Sequence, residues 1–351
     1  MLGKLRPWRS SGLLDFAKSA VKYILPDLEV IGAVHHWNVA ALAITSFDCQ
    51  HRVNSASTYL KLILTMFFWG GTWVAARVVV QDVAPLAAAC WRFLFASVSL
   101  LALVAWHCGG LPTISRRQVF QVLALAVCGI YLYNICFLVG MQHMTAGRGA
   151  LVVALNPVAV TIGAWWLLGE AMTFSKAMGS AVALLGCLTV IGHGSPLAPL
   201  SGDIGSGEWL ILGCAVLWAA YTLIGRSAMR HLSPLVATAY ASIAGWLMLL
   251  ATTLVTDPGV LVPHYSLRAW VAIGFLGLFG TTLGFTWFNQ AVKQIGAARA
   301  SVFINLVPVA AVLQGAWLLG EQLSTSVVVG GLLVLSGVAM TQRSAVVIER
   351  D

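Results

Sequence analysis

From Thr58 onward the chain alternates between apolar runs of about 20 residues and short polar breaks, the length a helix needs to cross roughly 30 Å of hydrocarbon. The runs fall near 58–80, 84–106, 118–140, 145–168, 176–194, 207–226, 233–256, 268–290, 297–319 and 325–342. The breaks carry turn and interface chemistry: Pro85, Arg116–Arg117, Gly169–Glu170, two prolines between His193 and Glu208, Ser233–Pro234, Asp257–Pro258 and Gly320–Glu321. This pattern predicts an all-α integral membrane protein of ten transmembrane helices, with no soluble domain of useful size.

Residues 1–57 follow a different pattern. Leu13, Phe16, Ala17, Ala20, Val21 and Ile24 recur at helical spacing beside Lys18 and Lys22, which suits a helix lying on an anionic membrane surface. The alternatives are an unstructured extension, or translation that starts nearer Ser57. The apolar stretch 30–47 is not expected to span, because His35, His36, Trp37 and Asn38 sit at its centre and each costs free energy in lipid. Nor is this a cleavable signal peptide of the usual form, since no clean apolar core follows the basic residues.

Composition narrows the class. Of 351 residues 59% are apolar and 9% charged, against roughly 45–50% and about 25% in soluble domains. The net charge of +8 comes largely from seven cations in the first 61 residues, so it describes an arm and not a nucleic-acid face. Beyond that arm, and leaving aside the intramembrane Arg92, nine cations fall on one side of the ten-helix pattern (Arg116, Arg117, Lys176, Arg226, Arg230, Lys293, Arg299, Arg343 and Arg350) and three on the other (Arg77, Arg148 and Arg268). The positive-inside rule then places both termini, including the tail 343–351, in the cytoplasm. The seven cysteines are scattered without metal-ligand spacing and are read as small hydrophobes.

Self-similarity organises the runs. Arg148, Pro157, Trp166, Glu170, Gly179 and Gly186 each find their counterpart 151 residues later, at Arg299, Pro308, Trp317, Glu321, Gly330 and Gly337. Earlier in the unit the offset is 149: Trp69 to Trp218, Arg77 to Arg226 and Pro85 to Pro234. The chain is a duplicated five-helix unit, 58–194 and 207–342. Because five is odd, the second copy enters the membrane from the opposite side, which gives two inverted repeats.

The twin Arg148…Pro157…Leu167-Leu-Gly-Glu170 and Arg299…Pro308…Leu318-Leu-Gly-Glu321 runs, with the Trp69-Gly-Gly-Thr-Trp73 opening, resemble the EamA-type transporters of the drug/metabolite transporter superfamily. That resemblance covers about 58–342. It implies a secondary transporter of small metabolites such as amino acids or their derivatives, usually an exporter of the bacterial inner membrane working by alternating access. A polytopic membrane enzyme or a lipid or solute channel is the alternative. An enzyme would need clustered His, Asp or Glu at a membrane face, and the sequence offers no such set, no catalytic residues, no metal site, no cofactor motif and no phosphate-cradling loop. The expected partners are the lipid bilayer and a small-molecule substrate, with homodimerisation left open.

Polar residues at membrane depth are the candidates for cargo contact. Arg92 is the one firmly intramembrane charge; substrate binding competes there with snorkelling or a helix-end contact. Asn134 and Tyr131, three apart, are expected on one face of helix 3. Pro157 and Pro308 interrupt two helices at equivalent depth, with Asn156 and Asn305 beside them to satisfy freed carbonyls or a ligand. Trp69 and Trp73 on helix 1, Trp218 and Tyr221 on helix 6, and Phe285 with Trp287 on helix 8 are candidates to wall an aromatic cavity. Glu170 and Glu321 are expected to cap the following helix or to pair with Lys176 and its surroundings. No Asp or Glu lies at mid-membrane depth, so the expected cargo site is neutral and aromatic and its energy source is open.

Overall fold

Helix boundaries in the computed structural model follow from local chemistry. The model describes residues 55–198, 204–229, 232–262, 264–295, 300 and 303–348. Nearly all of the N-terminal extension, Arg230, Arg299 and Arg350 therefore lie outside the described residues. With contiguous segments joined, ten long helical elements stand among the described residues, here α1 Ser55–Val79, α2 Pro85–Cys108, α3 Arg116–His143, α4 Ala146–Leu168, α5 Phe174–Ile191, α6 Ser206–Ala228, α7 Pro234–Thr256, α8 Leu267–Ile295, α9 Leu306–Leu319 and α10 Thr325–Ile348. Eight of them (α1 to α8) are long and apolar enough to cross a membrane, while Leu306–Leu319 and Thr325–Thr341 are shorter apolar stretches. Pro85 and Pro234 open α2 and α7, where the missing N–H costs nothing. Ser115 and Gln118 form a reciprocal capping box on α3, and Ser266 caps α8 by accepting from the Ala269 N–H at 3.2 Å. Gly169 and Gly320, at φ of +69° and +66°, take the left-handed conformation that ends α4 and α9. In the Leu-Gly-Glu motif, then, the glycine turns the chain and frees the glutamate to point away from its own helix.

Most packing joins one repeat to the other. Helix α1 lies against α8 and α9, α2 against α7 and α8, α3 against α6 and α7, and α6 against α4. The most extensive pairing is α5 with α10. A methyl group at Gly179 would sit 2.6 Å from the Gly337 carbonyl oxygen, and one at Gly337 would sit 2.5 Å from the Gly179 oxygen. Gly186 and Gly330 oppose each other in the same way, at 2.6 and 2.8 Å. Since Gly330 and Gly337 are the repeat counterparts of Gly179 and Gly186, each glycine faces the counterpart of the other. That reciprocity is possible only if α5 and α10 run antiparallel about a local two-fold axis.

Two helices carry matched irregularities. The π-helical segment Ala126–Leu132 in α3 recurs as Phe275–Leu283 in α8, both starting at positions 149 apart. Such widened turns leave carbonyls open, and Thr281 and Thr282 close two of them by donating their hydroxyls to Leu276 O and Gly277 O, five residues back. Helix α4 is broken at Ala154–Leu155 into Ala146–Val153 and Asn156–Leu168. Pro157 therefore sits at the start of a second helical segment, where proline is tolerated, and Pro308 likewise lies in the first turn of α9. Neither is a simple mid-helix kink.

The glycine seam gives a direct test. Gly186→Ala places a methyl 2.5 Å from Val334 N and should cost about 1–3 kcal/mol of stability in detergent. Gly274→Ala, where a Cβ meets nothing within 4 Å, should be neutral or slightly stabilising. Equal melting temperatures for the two variants would refute the seam.

Candidate substrate site

Arg92 lies seven residues into α2, about 10 Å along its axis from the helix start. Its side chain is buried, with 9% relative exposure. Nη1 donates to Asn134 Oδ1 at 2.8 Å, and Nη2 reaches Thr281 Oγ1 at 3.4 Å. The acceptors are fixed in that role: the Asn134 amide donates to Ile130 O at 2.7 Å and the Thr281 hydroxyl to Leu276 O at 3.0 Å, so each turns a lone pair towards the guanidinium. Thr281 lies in the irregular stretch of α8, and Asn134 lies two residues beyond that of α3. Arg92 Nε is buried without a partner. The cluster thus joins α2 and α3 of the first repeat to α8 of the second.

Aromatic rings form a closed circuit next to this cluster. Trp69 meets Phe285 with centroids 5.6 Å apart, Phe285 meets Trp218 at 6.4 Å, and Trp218 meets Tyr133 at 5.8 Å. Tyr133 stacks on Phe137 at 6.0 Å, and Phe137 meets Trp73 edge-on at 4.9 Å. Trp73 returns along α1 to Trp69, one helical turn away. The circuit uses α1, α8, α6 and α3, and the Arg92 guanidinium lies 5.9 Å from the Phe137 ring centre. Trp69 and Trp218, counterparts in the repeat, both contact Phe285, and the Trp69 indole N–H donates to Gly280 O at 2.9 Å.

Several sequence expectations take different positions. Tyr131 lies in the π segment and pairs its hydroxyl with Thr252 of α7 at 2.8 Å, whereas Asn134 meets Arg92. The phenol beside the site is Tyr133, which the sequence reading passed over. Trp73 is 4% exposed and belongs to the packed core around α1, α3 and α4. Tyr221 meets Trp218 at a tilt, with centroids 5.4 Å apart, and packs over Gly129, where a Cβ would lie 2.2 Å from its ring. Trp287 meets Phe68 and lies off the circuit. Asn156 Oδ1, an acceptor, is buried with no partner. Asn305 occupies the position just before α9. Gln314 is buried and donates to Phe67 O at 3.0 Å. It is the polar member of an apolar groove of about 530 Å³ between α1 and α9.

One end of the bundle is tied by charged groups. Glu321 does not cap its own following helix. It accepts from the Ala146 N–H at 2.7 Å and the Gly147 N–H at 3.0 Å, capping α4 of the other repeat. Arg148 forms an ion pair with Glu208 of α6 at 3.2 Å and donates to the Ile191 carbonyl ending α5. Asp82, between α1 and α2, accepts from the Ser266 N–H at 2.8 Å, and its Ser266 hydrogen bonds hold its carboxyl below the usual Asp range.

A polar cluster held between interlocked repeats of apolar helices defines a polytopic membrane protein with its candidate site at the repeat interface. The sequence matches the EamA-like transporter family over residues 56–192 and 205–343, one match per repeat, and the chain belongs to that family. It is similar to YyaM of Bacillus subtilis, named an uncharacterized transporter, with 31% identity over 280 residues covering 80% of this chain and 92% of that protein. A probable terminal-alkyne amino-acid exporter of Streptantibioticus cattleyicolor is 28% identical over 80% of this chain and 92% of its own length. The S-adenosylmethionine/S-adenosylhomocysteine transporter of Chlamydia trachomatis is 25% identical over 80% and 87%.

Two stability outcomes follow from the tied end. Glu321→Ala removes both acceptors from the α4 N-terminus and should cost about 1–2 kcal/mol, measured by thermal unfolding in detergent. For Asp82 the folded pKa is depressed, so its contribution is present above the ordinary Asp value of about 3.9 and is lost as pH falls through the lowered value. The difference in melting temperature between wild type and Asp82→Asn should therefore be present near pH 6 and shrink on acidification; a difference independent of pH would contradict the assignment.

Proposed function

We propose that the protein is a secondary transporter of ten transmembrane helices in two inverted repeats, exporting small metabolites such as amino acids or their derivatives across the bacterial inner membrane. Both termini face the cytoplasm, following the positive-inside distribution. The observation that carries the reading is the Arg92–Asn134–Thr281 cluster, which is assembled from both repeats and lies beside an aromatic circuit also drawn from both. A site shared in this way changes its access when one repeat moves against the other, without being rebuilt. With the termini inside, the Glu321, Arg148–Glu208 and Asp82–Ser266 ties lie at the outer end, and opening that end requires them to break. Kinship to an amino-acid exporter and to a transporter of an amino-acid derivative supports the substrate class. So does an unpartnered buried atom of the cluster itself: Arg92 Nε needs an acceptor, which the carboxylate of an amino acid supplies.

Untargeted metabolite profiling of the medium from cells overproducing the protein, against cells lacking it, tests the reading; no extracellular change under any growth condition would remove it. Asn156→Leu breaks no protein hydrogen bond at Oδ1, so it should insert normally and lower export about tenfold, the equivalent of one lost hydrogen bond. Wild-type export by this variant would exclude Asn156 from the cargo path.

A further inference from the structure

We infer that Arg92 is the receptor for a single carboxylate, so that the cargo is a monocarboxylate with an apolar body. This rests on the transporter reading and specifies its ligand. A guanidinium has five N–H donors, and the protein engages two of them, one at 2.8 Å and one at a long 3.4 Å. Nε is sealed from solvent and has no partner. A buried cation is stable only when it is paired, and here its nearest groups are a carboxamide, a hydroxyl and the faces of Phe93 and Phe137, all uncharged. The edge of the guanidinium bearing Nε and Nη2 is therefore its least satisfied side, and once movement of one repeat against the other uncovers it, two parallel N–H bonds from that edge match the two oxygens of a carboxylate.

Charge fixes the valence. One cation balances one negative charge; a phosphate dianion would leave an uncompensated charge in the same apolar surroundings. Position fixes the rest of the ligand, because a carboxylate held by Arg92 projects its body towards Phe137 and the ring circuit of Tyr133, Trp218 and Phe285. The repeat supplies no second pole, since the counterpart of Arg92 at the 149-residue offset is Ala241. Asn134 and Thr281 are positioning residues that hold Nη1 and Nη2 so that Nε stays free.

The test compares the exported metabolites of wild type, Arg92→Met and Asn134→Asp by profiling the medium of overproducing cells, with each variant quantified in the membrane fraction. Asn134→Asp is the more telling variant: it keeps the guanidinium and puts a resident carboxylate about 2.8 Å from Nη1, so the protein folds with its arginine already neutralised. The expected result is that the compounds exported by wild type carry a free carboxylate, and that both variants lower their export at least tenfold at wild-type membrane levels. Wild-type export by folded Asn134→Asp, or an exported set of amides, amines or neutral compounds that Arg92→Met leaves unchanged, would overturn the carboxylate assignment while leaving the transporter reading standing. An empty exported set for wild type would overturn the transporter reading and this inference with it.

Discussion

The approach of the α5 and α10 backbones at Gly179, Gly186, Gly330 and Gly337 is the constraint on which the rest of the structure depends. In a bilayer, lipid chains are as apolar as leucine, so helices associate through close packing and polar contacts and not through escape from water. Four glycines allow one helix of each repeat to approach to backbone distance, and their antiparallel register fixes the relation between the repeats. Once that relation is set, α1 must meet α8 and α9 while α6 meets α3 and α4. The site, the aromatic circuit and the ties at one end are all cross-repeat features, and all follow from this arrangement.

Much of the architecture was legible because a membrane protein writes it in coarse signals. Apolar runs, the 149- and 151-residue offsets and the odd number of runs per repeat are properties of whole helices, and no single side-chain contact is needed to see them. The glycines of α5 and α10 were readable for the same reason, since small residues repeated at matched positions have few uses other than close packing. The Arg92–Asn134 pair could be nominated because both are polar at depth, although nothing in the sequence says that they touch.

What escaped the sequence did so for identifiable geometric reasons. Tyr131 and Asn134 read as one face on an ideal α-helix, but Tyr131 lies in the π segment and pairs with α7, while Tyr133 meets Trp218. No local signal marks that segment apart from its recurrence at the same offset in α8, which appears only when the two irregularities are compared. Glu321 misled in a different way. Following a helix-ending glycine, it looks like a local cap, yet the left-handed turn at Gly320 carries it to the N-terminus of α4. The symmetric scaffold also surrounds an asymmetric site, because Arg92 has no charged counterpart, so duplication explains the frame and later divergence explains the chemistry.

The interlocking has a consequence for the order in which the chain is made. When the first repeat leaves the ribosome, Arg92 lacks Thr281, the N-terminus of α4 lacks Glu321, and the glycines of α5 face no partner. None of these needs is met until α8, the α9–α10 turn and α10 itself have been synthesised. The first repeat is therefore an incomplete assembly until the second has been made. Helix α10 closes the glycine seam, so its loss would leave the glycines of α5 facing no partner helix.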